Sequence, residues 1–420
     1  MIDRAKNLLD RLGPGLITGA ADDDPSGIAT YSQAGAQFGL GMVWSVFLTT
    51  PLMVGIQIVS ARIGRVTGYG IARNLREHYS PALLWFVVTC LLVANTINIA
   101  ADIGAMGQAL QLVAGGRPQV YAVIFGVIVI AAQVFLPYQR LAPLLKWLTL
   151  SLFAYVGVVI SVDIPWRDLL VATMVPPIEL TREYLMLLVG VLGTTISPYL
   201  FFWQASQEGE ELRANRQDVP LRESPDNARE HLHRIKVDTW LGMMFSNLIA
   251  LAIMVSTAVT LHTSGVTDIQ TSAQAASALR PIAGEFAFAL FAAGIIGTGL
   301  LAVPVLAGSA AYAVAEAMQW PVGHSHQPAE AKGFYAIITL ATALGSALGF
   351  TPIDPIKALY WSAILNGVIA VPIMAVMMRM AVRPEIMGPF VIKRRLWRLG
   401  WLATVIMAMA VVAMLVAIFV

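Results

Sequence analysis

The sequence predicts an all-α integral membrane protein whose helices cross the bilayer eleven times. Of the 420 residues, 57% are hydrophobic and only 12% are charged, whereas about 25% of the residues of a soluble domain are charged. The hydrophobic residues are also concentrated in long blocks, many of which reach the roughly 20 residues that an α-helix needs to cross a bilayer. Composition and pattern therefore both indicate a polytopic membrane protein.

Eleven stretches are long and apolar enough to be membrane spans. They cover residues 14–39, 42–61, 82–112, 119–137, 143–162, 184–206, 237–261, 285–315, 333–350, 355–378 and 399–420. The loops between them are short, so residues 1–420 are predicted to form a single membrane domain. The largest hydrophilic stretch, residues 207–236, is charged and contains prolines, which is typical of a flexible connector.

The distribution of Lys and Arg residues predicts the orientation. With a cytoplasmic N-terminus, 22 of the 27 Lys and Arg residues fall in cytoplasmic segments and five fall outside, as the positive-inside rule requires. We therefore expect a multi-pass protein of the cell membrane with an extracytoplasmic C-terminus. The net charge of +2 argues against a nucleic-acid partner. No nucleophile–base constellation or nucleotide-binding loop indicates an enzyme, and no cofactor is predicted.

Two predicted spans are interrupted near their middle by proline and small polar residues, in the runs Asp24–Gly27 and Ser197–Tyr199. Proline removes a backbone donor and clashes with the preceding turn. Backbone groups freed at membrane depth persist where they line a cavity. The breaks lie five spans apart and are entered from opposite sides, which predicts a LeuT-like fold of two inverted five-helix repeats, 14–162 and 184–378, with an extra helix at 399–420. Two ordinary proline kinks are the alternative.

The acid at the first break favours a cation as the bound species. The carbonyl groups at the end of each first half-helix carry partial negative charge, and Asp24 adds a full one that is costly at this depth without compensation. Hard cations bind carboxylate, carbonyl, hydroxyl and water oxygens, so we predict that Asp24 is a metal ligand. A protonated or capping aspartate is the alternative. Asp22 and Asp23 point in other directions and are predicted to face a water-filled inner vestibule or to cap local backbone.

A polar stripe in the third span is predicted to line the same site. Asn95, Asn98 and Asp102 step by three and four residues, so they share one face of a helix, and such a face lies toward the bundle interior or water. Asp102 is a candidate proton carrier, vestibule charge or structural partner of another helix. Asn366 in the tenth span is a candidate for hydrogen bonding between helices and for lining the site.

Taken together, these features resemble the Nramp family of divalent-metal transporters over most of the chain. The run Gln33–Gly39 resembles the segment that follows the family's Asp-Pro-Gly-Asn motif. Asp24 and Pro25 match that motif, and Gly27 stands where the family has its metal-binding asparagine. The resemblance implies that the backbone carbonyl of Ala21 also binds the ion.

In the sixth span, the family's Met-Pro-His falls on Ser197, Pro198 and Tyr199, where only the proline is kept. The resemblance implies a second carbonyl ligand at Thr194. Because the soft methionine thioether is replaced by Ser197, the site is expected to be oxygen-only and roomy, which suits a hard, partly hydrated cation. In this respect the chain is similar to the divergent Nramp-related magnesium transporters.

The family's residues for proton transfer are also replaced. Its span-six histidine position holds Tyr199, which does not titrate near neutral pH, and its acidic pair in span three falls on Asn98 and Ala101. Asp102 is displaced by one residue and is expected to face elsewhere. These departures argue against proton coupling.

The sequence therefore predicts a transporter of divalent metal cations by alternating access, with Mg²⁺ or Mn²⁺ as substrate and the lipid bilayer as its surroundings. Asp24 is the predicted anchor ligand, and Ala21, Thr194 and Ser197 complete the shell. One alternative is a proton-coupled Mn²⁺/Fe²⁺ importer of the parent family type. Another is an organic-solute transporter, for an amino acid or amine, on the same scaffold.

Overall fold

The computed structural model describes residues 14–135, 150–214, 218–225, 227–323, 326–348, 350 and 354–419. These residues form helices and connecting turns, with no β-strand among them. The α-helices are α1 (Pro14–Asp22), α2 (Pro25–Phe38), α3 (Val43–Thr67), α4 (Ile71–His78), α5 (Pro81–Ala114), α6 (Pro118–Phe135), α7 (Phe153–Ser161), α8 (Trp166–Met174), α9 (Arg182–Thr195), α10 (Pro198–Ala214), α11 (Ala228–Thr257), α12 (Ser272–Ser277), α13 (Arg280–Ala283), α14 (Ala287–Met318), α15 (Lys332–Leu348), α16 (Pro355–Met380), α17 (Pro384–Met387) and α18 (Arg394–Phe419).

Both predicted helix breaks are present. The first separates α1 from α2, which begins at Pro25, and the second separates α9 from α10, which begins at Pro198. Proline suits the first helical turn because its missing N–H has no intrahelical partner there and its φ is already helical. The most apolar 18-residue stretch of the segment Arg182–Arg213 is completely buried inside the protein, so the second broken helix lies at the centre of the bundle.

The described residues contain eight helical segments long and apolar enough to cross a bilayer, or nine if the bent pair α7 and α8 forms one span. One segment, Pro25–Thr67, has 43 residues and would measure about 65 Å as a helix, so it contains the end of the first predicted span and the whole of the second. The predicted ninth span corresponds to α15, which has only 17 residues. The predicted fifth span begins at residue 143, outside the described residues. The all-α membrane class is confirmed, and the count of eleven stays a prediction.

Glycines bring the first halves of both broken helices close to their neighbours. A β-carbon at Gly19 of α1 would overlap the backbone of Gly242 in α11, and one at Gly193 of α9 would overlap the backbone of Gly367 in α16. Small residues allow helices in a bilayer to approach in this way. These contacts fix α1 against α11 and α9 against α16.

The prediction of a flexible connector at residues 207–236 was wrong for its described part. Helices α10 and α11 extend into this stretch from both ends. Arg65 of α3 is 1% exposed and pairs with Asp218 at 2.8 Å, and Arg234 pairs with the buried Glu208 at 2.7 Å. A buried charge is costly without a partner, so these ion pairs anchor a segment whose composition alone indicates disorder.

Candidate functional site

Asp24 lies in the first break and is 1% exposed. It is the N-cap of α2, where Oδ1 accepts hydrogen bonds from the Gly27 backbone N–H at 2.8 Å and from the Ser26 hydroxyl at 2.6 Å. Its other oxygen, Oδ2, accepts from Asn98 Nδ2 at 2.9 Å. Within the described residues no Lys or Arg pairs with this carboxylate, which is also shielded from lipid. Neutral donors alone stabilise its charge.

The Asn98 amide joins two carboxylates. Its Nδ2 donates to Asp24 Oδ2 and, at 3.1 Å, to Asp102 Oδ2 one helical turn along α5. Its Oδ1 accepts from Asn366 Nδ2 of α16 at 3.2 Å. Asp102 was predicted to share one helix face with Asn98 and to line the site. It lies beside Asp24 through this shared amide, although it is displaced by one residue from the family's acidic position. An i, i+4 pair on one helix face allows both α5 residues to reach the break.

Among the residues that the structure describes, three oxygens of this neighbourhood are buried without a hydrogen-bond partner: Asp102 Oδ1, Asn366 Oδ1 and Thr194 Oγ1. Buried polar atoms are nearly always paired, because an unpaired one loses its hydration without compensation. Carboxylate, amide and hydroxyl oxygens are also the atoms that hard cations prefer. No group of three or more His, Cys, Asp or Glu residues in the described segments is arranged to hold a metal, and the candidate ligands here are of mixed kinds.

At the second break, the Ser197 hydroxyl binds carbonyl groups at the end of α9. It donates to the carbonyls of Gly193 at 2.7 Å and Thr194 at 2.8 Å, so both predicted ligands of this break are engaged with each other. The Thr194 side chain instead faces the first break, since a β-carbon added at Gly27 would lie 3.2 Å from its Oγ1. The Thr194 hydroxyl therefore lies beside the position at which the family has an asparagine side chain.

Two tyrosines connect the breaks to each other. The Tyr199 hydroxyl donates to the carbonyl of Ala21 at 2.9 Å, and the Tyr31 hydroxyl bonds to Thr195 Oγ1 at 3.0 Å. Both tyrosines are buried. The Ala21 carbonyl, predicted as a metal ligand, thus already accepts one hydrogen bond and keeps a second lone pair. The bonds hold the ends of α1 and α9 in one compact centre.

Asp22 and Asp23 point away from Asp24, toward α11. Ser246 Oγ lies 2.5 Å from Asp22 Oδ2 and 3.0 Å from Asp23 Oδ1. The two aspartates are 0% and 2% exposed, so the expectation that they face a water-filled inner vestibule or cap local backbone was wrong. They face α11 because α1 packs directly on that helix.

Asn95 does not belong to the Asp24 cluster. Its Nδ2 donates to the Leu306 carbonyl at 2.9 Å and to Ser309 Oγ at 2.7 Å, which joins α5 to α14. The sequence placed it on the same stripe as Asn98 and Asp102, but three residues along α5 the neighbouring helix is a different one. Its role in the structure is to connect two helices.

A cavity of about 440 Å³ opens at the end of the protein to which α2 runs from Asp24. We call it the vestibule; α2, α9 and α16 contribute to its wall, among others through Ala29, Gln33, Gln37, Met186 and Tyr360. The α2 residues recur every four positions, so the vestibule follows one face of α2 toward the break. A β-carbon at Gly190 would meet Thr30 at 3.3 Å and Tyr360 at 3.5 Å, so close packing at these residues forms its floor.

The opposite end is closed by α1. The Gly15 backbone N–H donates to Asp238 Oδ2 of α11 at 2.7 Å, and Gly19 lies directly on Gly242. Together with the burial of Asp22 and Asp23, these contacts separate the break from that end. The structure therefore has a cavity on one side of the site and a sealed helix pair on the other.

Three contributors to this centre were not predicted from the sequence: Ser246, Tyr31 and the hydroxyl of Thr194. Ser246 carried a detectable signal, since it is a polar residue within an apolar span. Tyr31 lies seven residues after Asp24, which places it on the same face of α2 two turns on. For Thr194, the resemblance implied only a backbone ligand, and its side-chain direction depends on how α9 packs against α2.

Comparison with known proteins gives a family and several similar folds. The Nramp family model, described as natural resistance-associated macrophage protein-like, matches residues 15–417. A manganese transporter of Eremococcus coleocola, solved with an aromatic bis-isothiourea substituted compound, is similar with a TM-score of 0.74 and 16% identity over 98% of this chain and 87% of that one.

A mutant of the same transporter gives a TM-score of 0.73 at 17% identity, covering 98% and 86% of the two chains. A nucleobase-cation-symport-1 family transporter, closed with bromovinylhydantoin bound, gives 0.57 at 12% identity, covering 97% and 92%. At these identities the structural matches show the fold, which is LeuT-like, and the family match spans nearly the whole chain. The chain therefore belongs to the Nramp family and is a multi-pass, all-α membrane protein.

Proposed function

We propose that this protein transports a divalent metal cation across the membrane by alternating access, with Asp24 as the anchor ligand. The observation that carries the proposal is a buried carboxylate at a helix break that only neutral groups stabilise. Membership of the Nramp family and the likeness of the fold to a manganese transporter support a metal as the substrate.

The charge of the site suits a divalent ion. Asp24 and Asp102 share the amide of Asn98, and a cation of two charges balances two carboxylates, as a neutral solute does not. In the proposed bound state the ion replaces the amide hydrogens as the partner of both acids. The unpaired oxygens of Thr194 and Asn366 then become additional ligands or bind the water of a hydrated ion.

The path follows from the asymmetric closure of the bundle. The ion enters from the vestibule and passes the floor at Thr30 and Tyr360 to reach Asp24. Release at the other end requires α1 to separate from α11, where Gly19 lies on Gly242. A membrane potential drives a divalent ion with about 4.6 kcal/mol per 100 mV, twice the value for one charge, so uptake needs no second driving ion.

The donor atoms favour a hard cation, Mg²⁺ or Mn²⁺. Gly27 and Ser197 stand where the family has asparagine and methionine, so the resemblance leaves no soft ligand at the site. An oxygen-only environment suits ions that prefer oxygen ligands, and Mg²⁺ in particular keeps several of its waters when bound. The small side chains at both positions provide room for such a hydrated ion.

Replacing Asp24 by Asn tests the anchor. The change keeps the shape and an oxygen for the Gly27 N–H but removes the charge, so we expect metal uptake into proteoliposomes to fall at least about tenfold, the equivalent of about 1.4 kcal/mol of binding. Uptake is measured with Mg²⁺- and Mn²⁺-sensitive dyes. Glu316→Gln is the matched control, since Glu316 is also buried but bonds to the backbone of Gly70 and Arg73, away from both breaks. Uptake by Asp24→Asn equal to that of the control contradicts the proposal.

Replacing Thr194 by Val tests the hydroxyl beside Gly27. The variant is isosteric and removes one oxygen, and we expect the KM for the metal to rise about threefold to tenfold, the value of one hydrogen-bond-sized interaction. Thr342→Val is the control, because its Oγ1 is also buried and unpaired but lies on α15. An unchanged KM in Thr194→Val would show that this hydroxyl takes no part in binding.

Competition among cations tests the selectivity. We expect Mg²⁺ and Mn²⁺ each to suppress uptake of the other. Cd²⁺, the soft probe, should compete only weakly, because soft ions favour sulfur ligands over oxygen. The measurement is inhibition of dye-reported uptake by a series of Mg²⁺, Mn²⁺, Ca²⁺, Fe²⁺ and Cd²⁺ at equal concentrations. Strong preference for Cd²⁺ would mean that a sulfur ligand reaches the site.

A second candidate function is metal import coupled to protons. The position of Asp102 favours it, because the structure places this buried acid one amide away from Asp24, where proton exchange would sense the metal. The replacement of the family's histidine by Tyr199 argues against it. The two functions share the substrate and differ only in whether protons accompany it.

A pH-sensitive dye inside the vesicles distinguishes the two. For uncoupled transport we expect metal influx at a fixed membrane potential without acidification of the lumen in the original protein. Asp102→Asn removes one of the two acids that balance the ion, so we expect it to take up metal more slowly, also without acidification per ion taken up. Acidification that follows metal influx and disappears in Asp102→Asn would establish the coupled function instead. Vesicles with Asp24→Asn protein report any background proton leak.

A further inference from the structure

A second cavity, of about 690 Å³, lies between α3, α11 and α18, away from Asp24. Five basic residues line it: Arg62, Lys236, Lys393, Arg394 and Arg395. None of the described residues in its wall is acidic. We call it the basic cavity, and no part of the proposed transport path uses it.

No acid of the described segments compensates the positive charge of the basic cavity. None of its five cations forms an ion pair within the described part of the chain, whereas Arg65 and Arg234 nearby do. Arg62 Nε is buried and has no hydrogen-bond partner among the described residues. A concentration of like charge around a partly buried guanidinium is unfavourable unless an anion binds there.

The start of α18 adds positive charge to the basic cavity. Arg394 and Arg395 open the helix and Lys393 precedes it, with no acid in the first turn. The N-terminus of a helix carries partial positive charge, and acidic residues or bound anions are the groups that stabilise it. A bound anion would therefore stabilise both the three cations at the start of α18 and the guanidinium of Arg62 across the cavity.

The rest of the basic cavity is apolar and continues onto the lipid-facing surface. Its wall includes Ile58, Leu399 and the ring of Trp240, and tryptophan is the residue typical of the membrane interface. On α11 next to it, Leu241 and Met244 are 45% and 53% exposed, as expected for side chains in contact with acyl chains. An occupant that matches this wall has an anionic end and a hydrocarbon end.

We propose that the basic cavity binds an anionic phospholipid, with the phosphate held by Arg62 and the cations at the start of α18 and the acyl chains lying along α11. Basic pockets between membrane helices are suited to such head groups. The cavity lies at the end of the bundle that the Lys and Arg distribution predicts to be cytoplasmic. A soluble phosphate compound shares the anionic chemistry but leaves the apolar wall exposed, so the structure favours the lipid.

Lipid binding by the full-length protein in mild detergent tests this proposal. Native mass spectrometry at fixed ionic strength gives the affinity for dioleoylphosphatidylglycerol and for zwitterionic dioleoylphosphatidylcholine. We expect the anionic lipid to bind more tightly. Near a membrane surface each Lys or Arg contributes about a fivefold change in affinity, so Arg62→Gln/Arg395→Gln should weaken binding of the anionic lipid about 25-fold.

Lys332→Gln/Arg379→Gln is the matched control, because it removes the same charge from exposed positions outside the basic cavity. We expect it to keep the affinity and the preference. In case the double variant folds poorly, Arg394→Gln against Lys332→Gln gives the same comparison with one charge each. Equal weakening in cavity and control variants, or no preference for the anionic lipid in the original protein, overturns the proposal.

Competition distinguishes the two sources of phosphate. Glycerol 3-phosphate, the soluble form of the head group, should displace the lipid only at a concentration far above that of the lipid itself. Displacement at equal concentration would mean a soluble-anion site and would overturn the assignment to a lipid. Because the readout is binding and not transport, its outcome is independent of whether Asp24 binds a metal.

Discussion

The structure depends on satisfying the backbone and carboxylate groups that two helix breaks expose at membrane depth. No water of the bulk phase reaches them there, so each break must supply its own partners. Asp24 caps the start of α2, and the Ser197 hydroxyl binds the carbonyls at the end of α9. The Tyr199 hydroxyl donates a hydrogen bond to the Ala21 carbonyl at the other break. Each of these hydrogen bonds comes from a local side chain or from the opposite break. The bond from Tyr199 to Ala21 holds the two breaks together.

These partners stabilise the site without neutralising it. Hydrogen bonds from neutral groups lower the cost of the Asp24 carboxylate but supply no counter-charge, and Asp102 adds a second acid through the same Asn98 amide. A buried ion pair would have neutralised Asp24, and arginine–carboxylate pairs such as those of Arg65 and Arg234 lie elsewhere in the described structure. The distribution of charge within the described residues thus separates carboxylates paired with arginines from carboxylates that accept only from neutral donors.

The two ends of the bundle differ in how they close. Glycine packing seals α1 on α11 through backbone contact, whereas the vestibule side is closed at its floor by side chains such as Tyr360. Backbone contact between glycines is lost or gained by movement of a whole helix, and a side-chain floor opens by rotation. The proposed lipid lies between α3, α11 and α18, so it contacts the helix on which α1 closes.

Much of the architecture followed from the sequence, because the bilayer imposes simple rules. Long apolar blocks predicted the all-α class, and proline beside small polar residues predicted both breaks, at Pro25 and Pro198, since these signals are local in the chain. The ion pairs of the described residues between 207 and 236 were missed because composition does not reveal partners such as Arg65 on another helix.

Within the site, the sequence by itself determined that Asp24 is an acid at a break and that Asn98 and Asp102 share a helix face. Only the tertiary structure decided that Asn95 turns to α14, that Asp22 and Asp23 turn to Ser246, and that the Thr194 hydroxyl lies beside Gly27. Spacing along a helix gives the direction of a side chain relative to its own axis. Which helix lies in that direction depends on packing between segments distant in the chain.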